Sequence, residues 1–369
     1  MPGAERTINF TRGVPADESF PFEQLAECAA AAISGPERVR VLQYGGSLGF
    51  APLREWLAAR HGVRLEQVLL ANGSLQLLDL LGWALLERGD AVLVESPTYD
   101  RALTLFRRHS AAVAGVPLRG DGPDLDALEA AVARRPVRLL YTIPDFQNPS
   151  GATAGLTARE RLARLAERYG FWILEDAPYR PLRYRGTQPP SLFELAPERT
   201  LQMSSFTKQI APSVRVGYLL GDARVLARVA RAAEDTYITP ALVGQAAVFE
   251  FCRRGWLEPQ LERVRALYRP RLEAICAAMR QHLPQAAWIE PEGGFFVSVT
   301  LPAGVTSEAL RARAAQGNLQ LSDGRGFFPE PADGERFVRL PFCALAPEEI
   351  EEGVRRLARA VGAMAPALG

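Results

Sequence analysis

Apolar and polar positions along the chain follow two rhythms that repeatedly trade places. Short apolar, β-branched runs read as buried strands at Val68–Ala71, Ala91–Glu95, Leu139–Ile143, Phe171–Glu175, Leu201–Ser204 and Val216–Leu220. Between them, apolar residues recur at helical spacing in Leu75–Glu87, Arg101–His109, Leu125–Arg134 and Ala158–Tyr169. Leu125–Arg134 follows Gly-Pro-Asp, a helix-start signal. Strand and helix in alternation predict βαβ units and a mainly parallel sheet, an α/β fold. From Leu257 a long amphipathic stretch runs through Arg280. After it come a strand at Gly294–Leu301, a helix near Ser307–Ala315, a strand at Arg336–Leu340 and a last helix near Pro347–Val361. This tail reads as a smaller α+β lobe joined by the long helix. Pro-rich stretches such as Gln188–Ser191 read as surface turns, and no internal repeat or low-complexity tract interrupts the pattern.

Composition narrows the function classes. Of 369 residues, 48% are hydrophobic and 23% charged, enough apolar material for two lobes. The formal net charge of +1 gives no reason to expect nucleic acid or an anionic membrane as partner. Cys28, Cys252, Cys276 and Cys343 are scattered, which suits a reduced, cytoplasmic setting better than disulfides or zinc. His61, His109 and His282 offer no ligand spacing, so no metal is expected. Met1–Gly13 has no apolar signal core, and no run reaches the roughly 18 apolar residues of a spanning helix.

One imbalance changes the picture. Of the 43 basic residues only Lys208 is a lysine; the rest are arginines. A compositional bias explains the arginines. A lysine surviving that bias is either a chance surface residue or one kept for chemistry that arginine cannot do. Arginine stays protonated, whereas a desolvated lysine loses its proton and forms an imine. On composition alone the two readings balance; the neighbouring residues decide between them.

In a doubly wound sheet, ligands bind beyond the carboxyl ends of the strands. Five predicted strand ends carry conspicuous polar residues: Asn72-Gly73-Ser74, Ser96-Pro97-Thr98-Tyr99, Pro144 through Gly151, Glu175 through Tyr179, and Ser204 through Lys208 with Arg215 beyond. Small residues opening a helix after Ala71 leave backbone N–H groups free to cradle a phosphate. Asn148 to Asp176 spans 28 residues and Asp176 to Lys208 spans 32, each about one βαβ unit, so these side chains can share one rim. Singly, each has a plain alternative. Asp176 can end a strand, Asn148 can make a turn before its proline, Tyr99 and Tyr179 can be half-buried aromatics, and Ser205 another hydroxyl.

Taken together, in this order, the segments resemble the fold-type I pyridoxal-phosphate enzymes, the class I and II aminotransferases. Ser204 through Tyr218 is similar to that family's cofactor-lysine segment, and Pro149-Ser-Gly151 after Asn148 and Asp176-Ala-Pro-Tyr179 match its other signatures. Phe146-Gln147-Asn148-Pro149 and Tyr44-Gly45-Gly46 resemble more narrowly the 2-aminoadipate aminotransferases and the aminotransferase-like domains of winged-helix regulators. This sequence shows no winged-helix segment, so the expectation is an enzyme.

The resemblance implies a large domain at 43–275 with a mainly parallel seven-stranded sheet covered by helices. It implies a smaller α+β domain from 1–42 and 276–369, and a homodimer with shared sites. Lys208 would hold pyridoxal 5'-phosphate as a Schiff base and then move the substrate's α-proton. Asp176 would pair with the ring nitrogen, Asn148 and Tyr179 with the ring's phenolate oxygen, and Tyr99 would stack on its face. Ser74, Ser205, Arg215 and the backbone at Leu75 and Gln76 would hold the phosphate, with Tyr44 reaching it from the neighbouring subunit. Arg339 would grip the substrate carboxylate, near Asn148, and Gly13 would let the N-terminal segment come close. Thr207 and Gln209 depart from the serine and apolar residue more usual beside the lysine. Arg12, before Gly13, has no assigned match, so the amino donor and acceptor stay open.

The implied reaction is transfer of an amino group between an amino acid and a 2-oxo acid. A lyase or racemase on the same fold and a non-catalytic effector-binding domain are the alternatives. A literal G-x-S-x-G at Gly45–Gly49, after a strand-like Val39–Gln43, also raises a hydrolase elbow at Ser47, but no late loop histidine completes it.

Overall fold

The computed structural model describes residues 6–364. The extreme ends of the expected small lobe, 1–5 and 365–369, lie outside the described residues. Strands run β1 Ile8–Phe10, β2 Val68–Ala71, β3 Ala91–Ser96, β4 Ala112–Arg119, β5 Gly122–Pro123, β6 Leu139–Thr142, β7 Trp172–Asp176, β8 Thr200–Ser205 and β9 Gly217–Leu220. They continue with β10 Ala287–Trp288, β11 Phe296–Thr300, β12 Leu319–Leu321 and β13 Phe337–Pro341. Helices are α1 Phe22–Ser34, α2 Arg38–Leu42, α3 Ala51–His61, α4 Ser74–Leu85, α5 Asp100–Arg108, α6 Leu125–Arg134 and α7 Leu156–Tyr169. Then follow α8 Leu192–Leu195, α9 Ala223–Tyr237, α10 Leu242–Arg253, α11 Leu257–His282, α12 Ser307–Gln316 and α13 Pro347–Gly362.

The large sheet has the order β2-β9-β8-β7-β6-β3-β4-β5. Strands β8, β7, β6, β3 and β4 are parallel, while β9 runs antiparallel to both β2 and β8. Seven strands are expected and eight are found; the extra one, β5, is a two-residue edge pairing Leu118 with Pro123 and Arg119 with Gly122. Strand β4 has no counterpart among the sequence-predicted strands, because Gly115 and Pro117 interrupt its apolar run as turn signals do. An edge position tolerates both: β4 pairs along its length only with β3, so the missing Pro117 N–H breaks no inner ladder.

Alternation along each strand divides the packing between two faces. On β2, Leu69 and Ala71 join the cluster under α4, α5 and α9, while Val68 and Leu70 join Phe50, Leu53, Leu57, Val248 and Phe251 under α3 and α10. Further along that second face, Leu93, Leu140 and Ile173 pack against Leu128, Leu162 and Leu165 of α6 and α7 as a separate cluster. Each fully buried leucine or isoleucine contributes about 1.5–3 kcal/mol of transfer free energy. Helix α6 begins where its sequence says, since the Asp124 carboxylate accepts from Asp126 N and Ala127 N.

The smaller lobe holds a three-stranded antiparallel sheet, β10-β11-β13, with α12, α13 and the end of α11. A two-stranded parallel ribbon, β1 with β12, ties the N-terminal segment to that lobe. Within 1–42, α1 and α2 instead place Cys28, Ala32 and Val41 in the cluster of α3 and α10. The strand-like Val39–Gln43 is a correction: it is the short helix α2, whose Val39 and Leu42 are 73% and 67% exposed. Its alternating residues find no neighbouring strand, and period-two spacing over so few residues cannot specify one. The elbow proposed at Ser47 therefore lacks its strand. Among the described residues, no helix is long and apolar enough to cross a membrane.

Candidate active site

Elements from both lobes converge on one cavity of about 740 Å³ at the carboxyl ends of the parallel sheet strands, where they face the small lobe. It is lined by Ser74 and Leu75, Tyr99, Asn148, Asp176 and Tyr179, Ser205 and Lys208, Arg215, and Arg339 with Phe296 from the small lobe. Gly13 lies at its rim, and a Cβ there would collide with the Phe296 ring. The side chains of two expected residues do not line it. Gln76 turns its side chain back to accept from Asn72 N at 2.9 Å, so only its backbone belongs to the first turn of α4. Tyr44 is 74% exposed and lies outside the cavity of its own chain.

The cradle at the end of β2 is steric in origin. Gly73 has φ +96°, and a Cβ there would strike the Arg215 guanidinium. A Cβ on Gly217 would meet Gly73 C and Ser74 N at 2.6 Å. Helix α4 opens without a side-chain cap, which leaves its first N–H groups facing the cavity. Arg215 adopts the left-handed φ of 50° and donates to Asn72 O at 2.9 Å. A non-glycine residue held there stores about 1–3 kcal/mol, tolerated where the side chain must be aimed.

Asn148 is fixed by a buried network that sequence reasoning did not single out. Gln147 donates to Glu95 at 3.0 Å and to Pro97 O at 2.8 Å, and its own oxygen accepts from Ser150 N at 2.9 Å. Beneath it Arg159, fully buried, donates to Asp145, Pro144 O and Ala154 O. Such a network holds the loop only because every member is satisfied.

Asp176 ends β7 with its carboxyl buried. Oδ2 accepts from Tyr141 OH at 2.6 Å, while Oδ1 is buried without a partner among the described residues. Burial pushes this carboxyl up to about 7, the Tyr141 hydrogen bond lowers it, and the Glu95 charge raises it. Tyr141 carries no sequence signal beyond a buried aromatic on a central strand. Lys208 Nζ donates to Gly13 O at 3.0 Å and sits 5.4 Å from the Phe295 ring centroid. Burial, assisted by the Arg339 charge, lowers its ammonium to about 8. Tyr99, the residue before α5, is pushed up to about 12 by burial and then by Asp100 and Asp176.

Arg339 lies between the Phe296 and Phe327 rings, at 5.1 and 4.5 Å from their centroids. It donates to Asn148 Oδ1 at 3.1 Å and Thr11 O at 2.9 Å, and its Nε is buried without a partner among the described residues. Stacked and desolvated, a guanidinium is poised for a planar carboxylate. Phe327 went unsingled in the sequence because a Phe-Phe pair there reads as ordinary core.

These residues fit pyridoxal phosphate. The orphaned Asp176 Oδ1 can accept from a protonated ring nitrogen, the α4 amides with Arg215 suit a phosphate, and a lysine near neutrality can form an imine. The comparisons agree. The family model "Aminotransferase class I and II" matches residues 5–357. The chain is 39% identical to the 2-aminoadipate transaminase of Thermus thermophilus, over 96% of this chain and 90% of that one. It is 32% identical to aromatic-amino-acid aminotransferase 1 of Thermococcus litoralis, over 96% and 88%. Its fold superposes with a TM-score of 0.91 on LysN, an α-aminoadipate aminotransferase also from Thermus thermophilus, complexed with N-(5'-phosphopyridoxyl)-L-leucine. There identity is 37%, over 97% of this chain and 92% of that one. Catalytic geometry and ancestry lead to the same place: the chain belongs to the class I and II aminotransferase family and is a pyridoxal-phosphate-dependent aminotransferase.

Proposed function

We propose that Lys208 carries the cofactor and then acts as the base that moves the substrate's α-proton, during amino transfer between an amino acid and a 2-oxo acid. The observation that carries this reading is the convergence of Lys208, the unpaired Asp176 Oδ1 and Arg339 in one cavity. When bound, pyridoxal phosphate supplies an electrophilic carbonyl and a ring that takes up the charge left by the departing proton. Asp176 keeps the ring nitrogen protonated. Asn148 and Tyr179 hydrogen-bond the ring oxygen, and Tyr99 covers the ring face. Ser74, Ser205, Arg215 and the backbone at Leu75 and Gln76 hold the phosphate. Arg339 orients the substrate carboxylate bidentately, and Gly13 brings the N-terminal segment over it.

At the mouth, Arg12 and Arg101 offer charge and Phe327 an apolar ring. The relatives named for 2-aminoadipate and aromatic amino acids make both donor classes the first to try. A panel of amino donors against 2-oxo acids tests the function. Stoichiometric exchange of amino groups supports it; ammonia release without a new amino acid assigns a lyase instead.

The functional unit we propose is a cytoplasmic homodimer, consistent with four free cysteines, and one that binds no nucleic acid. Tyr44, Val39, Leu42 and Ile238 are all exposed apolar residues of one region, where Gly45 N donates to Thr239 Oγ1 at 3.2 Å. A second copy covers them and receives Tyr44 at its phosphate site. Light scattering tests this, and a catalytically competent monomer contradicts it.

A further inference from the structure

The sheet rim that carries Lys208 has a second face. Ser205 of β8 points into the cofactor cavity, so Gln202 and Ser204 point to the opposite side. Both are buried, in a central strand that elsewhere carries leucine and methionine. They lie where the second face's two apolar clusters remain separate. With Ala177, Gln209 and Tyr218 they floor another cavity of about 650 Å³. That volume falls within the range of small-molecule sites, about 300–1,000 Å³.

This cavity is basic. Arg60, Arg180, Arg183, Arg185, Arg265 and Arg269 line it, against one carboxylate, Glu194. Four of the six have acidic partners: Arg60 meets Glu258 at 2.6 Å, Arg180 meets Glu194 at 3.1 Å, Arg185 meets Glu290 at 2.7 Å, and Arg183 meets Glu292. Among the described residues, Arg265 spends Nε on Pro181 O at 2.8 Å and has no carboxylate, while Arg269 makes no hydrogen bond or ion pair. These two stand one turn apart on α11, where like charges repel. On the α3 side, His61 Nε2 is buried without a hydrogen-bond partner among the described residues, its ring 5.6 Å from that of Tyr218. Burial, then the Arg60 charge, lowers this imidazole to about 4, so it is neutral and can donate one hydrogen bond.

We propose that this second cavity binds a phosphate-bearing small molecule, held by Arg265, Arg269 and His61. One guanidinium fork satisfies a planar carboxylate. A tetrahedral dianion offers acceptors to donors arriving from separate walls, which is the arrangement here. The inference is independent of substrate identity, because the site lies across the sheet from Arg339.

Calorimetric titration of the cofactor-loaded enzyme with inorganic pyrophosphate tests it, the cofactor's own phosphate cradle being filled. One site per chain is expected, with affinity falling roughly tenfold or more in Arg269→Ala and again in the Arg265→Ala/Arg269→Ala double variant. Visible absorbance of the bound cofactor should stay as in the wild type. No binding at millimolar pyrophosphate overturns the proposal, as does equal binding by wild type and double variant. Displacement by succinate, a carboxylate suited to Arg339, also overturns it by moving the anion to the substrate site.

Discussion

Replacing Asp176 by asparagine separates what this carboxylate costs the fold from what it does for the cofactor. Burial moves its pKa from 3.8 to about 7 in the cofactor-free protein. Because the folded pKa is the higher one, the folded chain binds the extra proton between those values. The associated stability is complete below pH 3.8, declines as pH rises through about 7, and is absent above it. At about 1.36 kcal/mol per tenfold change in proton affinity, the ionised group costs the cofactor-free fold about 4 kcal/mol at pH 8. Asparagine removes the charge and still accepts from Tyr141, but its own N–H groups, placed near the orphaned Oδ1 position, cost about 1–3 kcal/mol unpaired. The cofactor-free Asp176→Asn variant should therefore be more stable than wild type at pH 8 by about 1–3 kcal/mol, and less stable at pH 4. With cofactor the order at pH 8 reverses. Removing one partner of a buried charge pair costs about 3–5 kcal/mol, so cofactor affinity should fall by roughly 10²–10⁴-fold. Thermal melts of the cofactor-free proteins at both pH values, and a cofactor titration at pH 8, read these directly. A cofactor-free variant that melts below wild type at pH 8, or one that holds the cofactor as tightly, refutes the reasoning.

Three further outcomes follow from the same site. Lys208→Ala should lose the visible absorbance of lysine-bound cofactor together with activity, and Lys208→Arg should fare no better because a guanidinium offers no imine; surviving absorbance with turnover in either contradicts the assignment. Since burial lowers Lys208 to about 8, cofactor capture by the cofactor-free protein should accelerate with pH with a midpoint near 8 and level off above it, whereas a midpoint at the ordinary lysine value excludes a desolvated amine. Arg339→Lys keeps the charge but loses the fork and the stacking between Phe296 and Phe327, so kcat/KM should drop roughly ten- to hundredfold for amino and 2-oxo acid alike, and an unchanged value removes Arg339 from carboxylate binding.

The sequence by itself was enough to single out Lys208, because a compositional bias left it alone among arginines, and to mark the polar strand ends around it. It also located most helices and central strands, since apolar spacing and caps such as Asp124 are local properties of the chain. Tertiary structure decided what local pattern cannot encode. Strand β4 exists in spite of Gly115 and Pro117 because an edge forgives them, and α2 is a helix because no strand lies beside Val39–Gln43. The ribbon of Ile8–Phe10 with Leu319–Leu321 joins segments from opposite ends of the chain. The Tyr141 bond to Asp176, the stacking of Phe327 on Arg339 and the basic cavity behind β8 likewise depend on groups far apart in sequence. Local propensity sets which elements form, but pKa, burial and the pairing of charges are set by neighbours that only folding brings together.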